Sequence, residues 1–476
     1  MPITYKWRPI ADLDDDAESL TDGELKSLKR VWTKQKTELA ESGALDEFDR
    51  RLRREWAIET GIIENVYTLD RGVTRTLIEK GIEASLIPHG ATNRDPELVS
   101  RIIQDHYHAL EGMFDFVGGQ RELSVGYVKE LHAALLRNRE TYTVVDQFGQ
   151  AFEKALERGR YKDAPNNPSR EDGSVHEYCP PEHVASEMDR LLQVHSEHES
   201  RGVPVDVEAA WLHHRFAQIH PFADGNGRVA RAIGTLLFIK AGWFPLVVKR
   251  DDRVRYLETL EKADDGDLRP LIALFEAAQR NALIQASEAA YDVPRIPSPH
   301  SPADAILAAR DRLVQRGRLS LKEWLAAKEN ATKLFQFAEQ RFQQIMQDLR
   351  REIASEGFGF EVSGGLKWAD TNARAKAVLK TDQVANYAEF DASVQLSLYT
   401  GQRAVLALSF HGIGPHFRGL VGVVAYFVPQ GAEPTPSEGG AFLVNYEEDL
   451  ANAQTRFSAW LERVIVEGLN EWRRTL

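Results

Sequence analysis

The chain has 476 residues, of which 43% are hydrophobic and 28% charged, and a formal net charge of −13. That length suits two or three domains with separate cores; the composition excludes a disordered chain, and the acidic balance excludes a protein whose main task is coating nucleic acid. Cys179 is the only cysteine, which excludes an intrachain disulfide and a cysteine zinc cluster; with no signal-peptide core and no run of membrane-spanning length, a cytoplasmic protein is expected.

In chain order, Thr21, Asp22, Gly23 and Glu24 read as a capping box opening a helix with Leu25, Leu28, Val31 and Trp32 on one face, ending near Gly43. A second helix carries Leu45, Phe48, Leu52, Trp56, Ile62 and Ile63 at helical spacing and runs out at Glu64-Asn65, where Asn serves as terminator. Residues 66–155 are predicted to be nearly all helix. Residues 159–181 break the pattern with prolines, asparagines and an Asp172-Gly173 pair suited to a tight turn, so a short ribbon or flap is expected there. Helical patterns return in EHVASEMDRLLQVH, VDVEAAWLHHRFAQI, RVARAIGTLLFIKAG and the segment from Arg253 to Leu283. VPRIPSPHSP, residues 293–302, reads as an extended linker. Residues 303–354 are again helical; ASVQLSLYT, RAVLALSFH, GLVGVVAYFV and GAFLVN read as strands, and a last helix runs from about Glu447 to Trp472. Trp368, Trp460 and Trp472 are expected in cores or interfaces, and His213-His214, which lack acidic or cysteine companions in sequence, as structural.

The chemistry concentrates in residues 220–231, HPFADGNGRVAR. A helix ends near Ile219 and another restarts near Arg228. Gly225 and Gly227 between them permit a backbone path in which N–H groups converge at the positive end of the new helix, a ready anion cradle. Arg228 and Arg231, three apart on that helix, add two cationic forks for the outer phosphates of a nucleoside triphosphate. Asp224 supplies one hard oxygen, which suits Mg²⁺ held otherwise by phosphate oxygens and water. His220 is the group there able to accept a proton near neutral pH. A lone His or a lone Arg pair would be read as structural; a base, a metal ligand and a phosphate clamp within twelve residues fit attack of an external hydroxyl on a bound phosphate.

This segment resembles the Fic family, whose motif HPFx(D/E)GNGRxxR is met by His220, Pro221, Phe222, Asp224, Gly225, Asn226, Gly227, Arg228 and Arg231. The resemblance implies a mainly α fold: a helical Fic core with a short β-hairpin flap, followed by a smaller C-terminal α+β domain. It implies transfer of AMP from ATP to Tyr, Thr or Ser hydroxyls of a target protein, with ATP as substrate and Mg²⁺ as cofactor. His220 would be the catalytic base and Asp224 the metal ligand. Asn226 and the glycine amides would lie on the phosphates, Arg228 and Arg231 on the β and γ phosphates, and Phe222 would anchor the loop. In the family a flap before the motif captures the target as an added strand; GRYK resembles its start, making Tyr161 and Lys162 the flap residues here, although the segment after them is more polar and proline-rich than a regular strand. Within the same fold, UMP or GMP transfer, phosphorylation, phosphocholine transfer and removal of AMP are the alternatives, and a non-catalytic regulatory binding protein is the rival from another class.

Thr60-Gly61-Ile62-Ile63-Glu64-Asn65 fits (S/T)xxxE(G/N), the pattern of the family's inhibitory helix, and no other Glu-Gly or Glu-Asn pair in the chain has Ser or Thr four residues earlier. Thr60, Glu64 and Asn65 are therefore the inhibitory residues, with Glu64 expected to pair bidentately with Arg231 and remove the fork that the γ-phosphate needs. The expected organisation is an N-terminal helical hairpin over 1–65 ending in the inhibitory helix, a Fic catalytic domain over 66–292, the linker over 293–302 and a C-terminal domain over 303–476. The expected partner is a protein substrate; no nucleic acid and no membrane is expected, and homo-oligomer formation is left open.

Overall fold

The computed structural model describes residues 3–13, 17–21, 23–40, 44–145, 150–168, 175–289, 301–303, 306–307, 321–355, 370–381, 383–399, 403–414 and 419–474. Asp172-Gly173, Gly43, Trp368 and most of the expected linker lie outside them. Packing divides the chain into two units, residues 1–25 with 46–282 and residues 26–45 with 283–476.

The first unit holds strand β1 (Ile3–Tyr5) and then, after helix α1 (Glu24–Ala40), helices α2 (Ala44–Ile63), α3 (Arg71–Lys80), α4 (Pro96–Gly118) and α5 (Val125–Leu135). The Asp95 and Ser124 side chains accept the Leu98 and Tyr127 N–H groups and so cap α4 and α5. Strands β2 (Thr141–Val145) and β3 (Ala151–Ala155) follow as an antiparallel pair, then β4 (Val175–His176), α6 (Pro181–Arg201), α7 (Val205–Ile219), α8 (Asn226–Lys240), α9 (Arg253–Asp264) and α10 (Arg269–Ala289). Helix α8 is buried at nearly every position from Asn226 to Ile239, as befits a central helix whose apolar residues surround its axis. Each of its large aliphatic side chains contributes about 1.5–3 kcal/mol by leaving water.

One expectation is corrected here. The block 66–155 was expected to be nearly all helix, yet residues 141–145 and 151–155 pair as two antiparallel strands, with Thr141 opposite Ala155 and Val145 opposite Ala151. The run Thr-Tyr-Thr-Val-Val favours a strand because its β-branched and aromatic side chains fit the pleat. Farther on, in the expected flap, the Pro168 carbonyl accepts the His176 N–H, and β4 pairs in parallel with β1.

The second unit is α+β. Helices α11 (Leu321–Ser355) and α12 (Thr371–Leu379) precede β5 (Ala385–Tyr399), β6 (Arg403–Ile413), β7 (Leu420–Pro429), β8 (Thr435–Pro436) and β9 (Phe442–Asn445), and α13 (Leu450–Arg474) ends it. The sheet is antiparallel in the order β5-β6-β7, with β8 and β9 sharing the far edge of β7. Alternation along β6 sends Leu406, Leu408 and Phe410 into a core with Phe342 of α11 and Phe457, Trp460 and Trp472 of α13. Val405 and Ala407 face Ala377 of α12 on the other side.

Candidate active site

Helix α7 stops at Ile219 because His220 takes a left-handed conformation, φ 50°, its N–H still bonded to the Phe216 carbonyl. Gly225, at φ 81°, starts α8, and a side chain on it would come within 2.7 Å of Leu136. The loop between is closed by one residue: Asn226 donates its amide to the Phe222 carbonyl (2.7 Å) and accepts the Phe222 N–H (2.8 Å). The Asn226 side chain thus holds loop backbone, a contact that the family-based assignment to phosphates did not anticipate. Phe222 is fully buried, and Asn166 Nδ2 adds a second bond to its carbonyl.

His132 completes the frame. Its ring stacks on Phe222 at 3.9 Å, Nε2 bonds the Asp224 carbonyl (3.1 Å) and Nδ1 meets the Gly159 N–H (2.8 Å). Because an N–H can only donate and a carbonyl only accept, His132 is the neutral tautomer with hydrogen on Nε2. Burial pushes its pKa down to about 4.

His220 Nδ1 lies 3.2 Å from the Ala217 carbonyl, so this nitrogen carries the hydrogen and Nε2 keeps its lone pair. The pKa of His220 is pushed down to about 3, first by burial and then by the nearby Lys162 ammonium. It is therefore a neutral acceptor across the physiological range. Tyr178 stacks flat on it at 3.7 Å and 10°.

Asp224 accepts the Gly225 N–H at Oδ1, while Oδ2 lies 3.4 Å from Arg228 Nη2 and 3.5 Å from Arg139 Nε. Its side chain is 28% exposed, between a buried guanidinium and the surface. Arg228 is buried, and its Nε has no hydrogen-bond partner among the described residues. The first-turn N–H groups of α8, those of Asn226, Gly227 and Arg228, lie beyond the reach of its i to i−4 ladder. Uncommitted donors and positive charge meet at one helix end.

Glu64 lies at that end. Helix α2 closes with the Asn65 N–H on the Ile62 carbonyl and the Val66 N–H on the Gly61 carbonyl, with Asn65 at φ 52°. This is a Schellman closure, which requires a residue tolerant of the left-handed region after the cap. Glu64 Oε1 accepts Arg231 Nη1 at 2.8 Å, and a side chain on Gly227 would sit 2.2 Å from the same oxygen. The expected bidentate pair is corrected: the rest of the Arg231 fork is taken by Thr60, whose carbonyl accepts Nη2 (2.9 Å) and whose hydroxyl accepts Nε (3.2 Å) and Nη2 (3.1 Å). Thr60 and Glu64, four apart, share one helical face, so one guanidinium can reach both.

Tyr161 packs against Phe222 at 5.6 Å, and the Lys162 N–H donates to the Pro221 carbonyl (2.8 Å) while Nζ donates to Asn166 Oδ1 (2.8 Å). Both residues are thereby tied to the motif loop. Sequence reasoning missed His132, Arg139, Asn166 and Tyr178; only the last two lie in the segment singled out as a flap. His213 and His214 are structural: Tyr256 Oη lies 2.9 Å from His213 Nε2, and Asp264 lies 3.0 Å from His214 Nε2.

Fold and site together define a helical protein built around a tight, arginine-flanked turn between two buried helices. Residues 122–238 match the profile of the Fic/DOC family, and the chain carries a domain of that family. Curated relatives from Drosophila persimilis and Drosophila melanogaster, each named protein adenylyltransferase Fic, are 39% identical over 79 residues, 17% of this chain. That match spans only 15% and 16% of their length. Among solved structures, a Fic-domain signaling protein from Bacteroides thetaiotaomicron aligns with 56% of this chain and 97% of its own, at 23% identity and a TM-score of 0.45. A Fic family protein from Desulfovibrio desulfuricans covers 64% of this chain and 86% of its own, at 22% identity and a TM-score of 0.44. Among the described residues no helix is long and apolar enough to cross a membrane.

Proposed function

We propose that the chain is a protein adenylyltransferase that moves AMP from ATP to a Tyr, Thr or Ser hydroxyl of a target protein and is restrained by Glu64. The observation that carries this reading is the buried Arg228, whose Nε has no partner among the described residues, set beside the first-turn N–H groups of α8, which lie outside its i to i−4 ladder. Such a donor set calls for a polyanion. His220 Nε2 takes the proton of the attacking hydroxyl, whose oxygen bonds to the α-phosphorus as the bond to the pyrophosphate oxygen breaks. Pyrophosphate leaves with its charge facing Arg228 and, once Glu64 has withdrawn, Arg231.

Asp224 fits a metal held by a single protein carboxylate, since it is partly exposed and each oxygen keeps acceptor capacity beyond its present contact. Mg²⁺ bound there would neutralise phosphate charge. The name carried by the Drosophila relatives supports AMP as the group transferred, and supports ATP as its source. In the present arrangement Glu64 occupies one nitrogen of Arg231 and the space above Gly227, so the γ-phosphate position is the one it blocks.

The test is incubation of the Glu64→Gly variant with Mg²⁺ and either α- or γ-labelled ATP in native lysate. Protein label from the α position alone supports adenylyl transfer. Label from the γ position alone would mean phosphorylation and overturn it.

A further inference from the structure

His220 does not stand alone in its pocket. The Tyr178 ring lies parallel to it at 3.7 Å and 10°, and Tyr178 is itself braced. Its N–H donates to Asn167 Oδ1 (2.9 Å), its ring leans on His176 at 4.8 Å, and His176 stacks on Tyr5 of β1 at 4.6 Å. The pairing of β1 with β4 holds the outer two rings, and Gln218, two residues before His220, bonds the Tyr5 hydroxyl. Four rings therefore run from a sheet edge to the base.

A hydrogen bond from Nδ1 to the Ala217 carbonyl leaves an imidazole free to rotate about that bond. A face-on neighbour removes this freedom, because tilting the ring would drive it into the phenol. We propose that Tyr178 is a positioning residue for His220: it fixes the plane of the imidazole and so aims Nε2 at the acceptor hydroxyl. It touches neither nucleotide nor reacting atoms in this role.

A second consequence concerns charge. Lys162 Nζ lies 5.8 Å from the centre of the Tyr178 ring, so this one ring packs near that ammonium as well as on His220. The charged or titratable groups acting on His220 are Lys162 and His176, which disfavour its protonation, and Asp224, which favours it. Stripping the ring away admits water, which relieves the burial that keeps His220 neutral. This inference rests on the adenylyltransferase reading only for its kinetic readout.

The experiment uses the full chain with Glu64→Gly, alone and combined with Tyr178→Leu, Tyr178→Ala or Tyr178→Phe. Leucine retains apolar volume but offers no plane, so it stands in should the alanine variant fold poorly. The His220 Cε1–H resonance, identified by its loss in His220→Ala, is followed against pH. In the parent it is expected to show no titration near the ordinary imidazole value. In Tyr178→Ala the midpoint rises by about one pH unit or more. Label transfer from α-labelled ATP is expected to drop about tenfold in kcat for Tyr178→Leu with KM for ATP unchanged, and Tyr178→Phe to recover most of the loss. An unmoved midpoint in Tyr178→Ala, or equal kcat in the Leu and Phe variants, overturns the positioning role. A parent that transfers no label at all defeats the adenylyltransferase reading instead, and the titration still decides the role of Tyr178.

Discussion

Glu64 Oε1 lies 2.8 Å from Arg231 Nη1, and the same oxygen stands where a side chain on Gly227 would have to go. One carboxylate thus meets both the cation and the backbone of the proposed phosphate cradle. Replacing Glu64 by glycine is expected to raise auto-modification and target modification at least about tenfold, which corresponds to about 1.4 kcal/mol of removed competition. Labelling with α-labelled ATP measures it; equal labelling of wild type and variant would sink the inhibitory role.

The closure of α2 sets the aim of Glu64. Asn65 at φ 52° tolerates the left-handed region, whereas a β-branched residue does not. Asn65→Val is expected to cost about 1–2 kcal/mol in chemical denaturation and to raise basal labelling by loosening Glu64, while Asn65→Gly leaves stability nearly unchanged. Valine without a stability cost would show that the cap is not under this constraint.

His220→Ala is expected to lower transfer in the Glu64→Gly background by about a hundredfold or more, the usual share of a positioned base. Because burial, then Lys162, holds the imidazole near a pKa of about 3, the base form is present throughout the neutral and mildly acid range. The rate should therefore show no acid limb near the ordinary histidine value of about 6.5. A pH profile of kcat/KM with a midpoint there contradicts this placement of His220.

Asn226 binds the loop to itself through two bonds to Phe222. Asn226→Ala leaves the buried Phe222 N–H without its partner and the Phe222 carbonyl with Asn166 alone, and about 1–3 kcal/mol of stability should be lost, along with transfer. Asn226→Asp keeps the acceptor but not the donor and should sit between the two. Urea denaturation measures both, and a fully stable alanine variant would disprove the claim that this side chain closes the loop.

Stability should also depend on pH. His106, His132 and His213 are fully buried, and burial lowers each pKa, to about 3 for His106 and about 4 for His132. The unfolded chain takes up these protons first, below about 6.5, so the stability they carry is complete above that value and is lost as pH falls toward the folded values. The slope approaches about 1.4 kcal/mol per histidine per pH unit. His198 works oppositely: burial lowers its pKa, but hydrogen bonds to Glu208 and Asp12 outweigh this and raise it, giving stability that is lost as pH rises through the folded value. His214, His220 and His411 are lowered by burial in the same way, so with six against one Tm should drop between pH 7 and pH 5; a Tm that holds or rises would refute this balance.

The motif loop was legible in the sequence because its constraints are local. Gly225 must take a positive φ, Asn65 must end a helix, and Thr60 and Glu64 share a face by spacing alone. Strands β5, β6 and β7 were legible for the same reason, through alternation. What escaped was set by distant partners: His132 reaches Asp224 ninety-two residues on, and Asn166 reaches Phe222 across fifty-six, with no periodicity to announce either. The hairpin β2–β3 was missed differently. Its strand-forming residues lie between long helical stretches, and a window spanning both averages them into helix. The single contact between Glu64 and Arg231, in place of the bidentate one, follows from Thr60 having the nearer claim on the other nitrogens.

That hairpin bears on how such a protein can be altered. The Leu156 N–H donates to the Glu140 carbonyl at 2.8 Å, so the two ends of residues 141–155 are already clasped, and every residue of β3 faces solvent. Arg139, the residue before the clasp, touches Asp224. Strands β2 and β3 thus stand on a closed base at the rim of the proposed site, and their exposed faces can be exchanged with the chain path beneath them left intact, which makes them a natural graft point beside it.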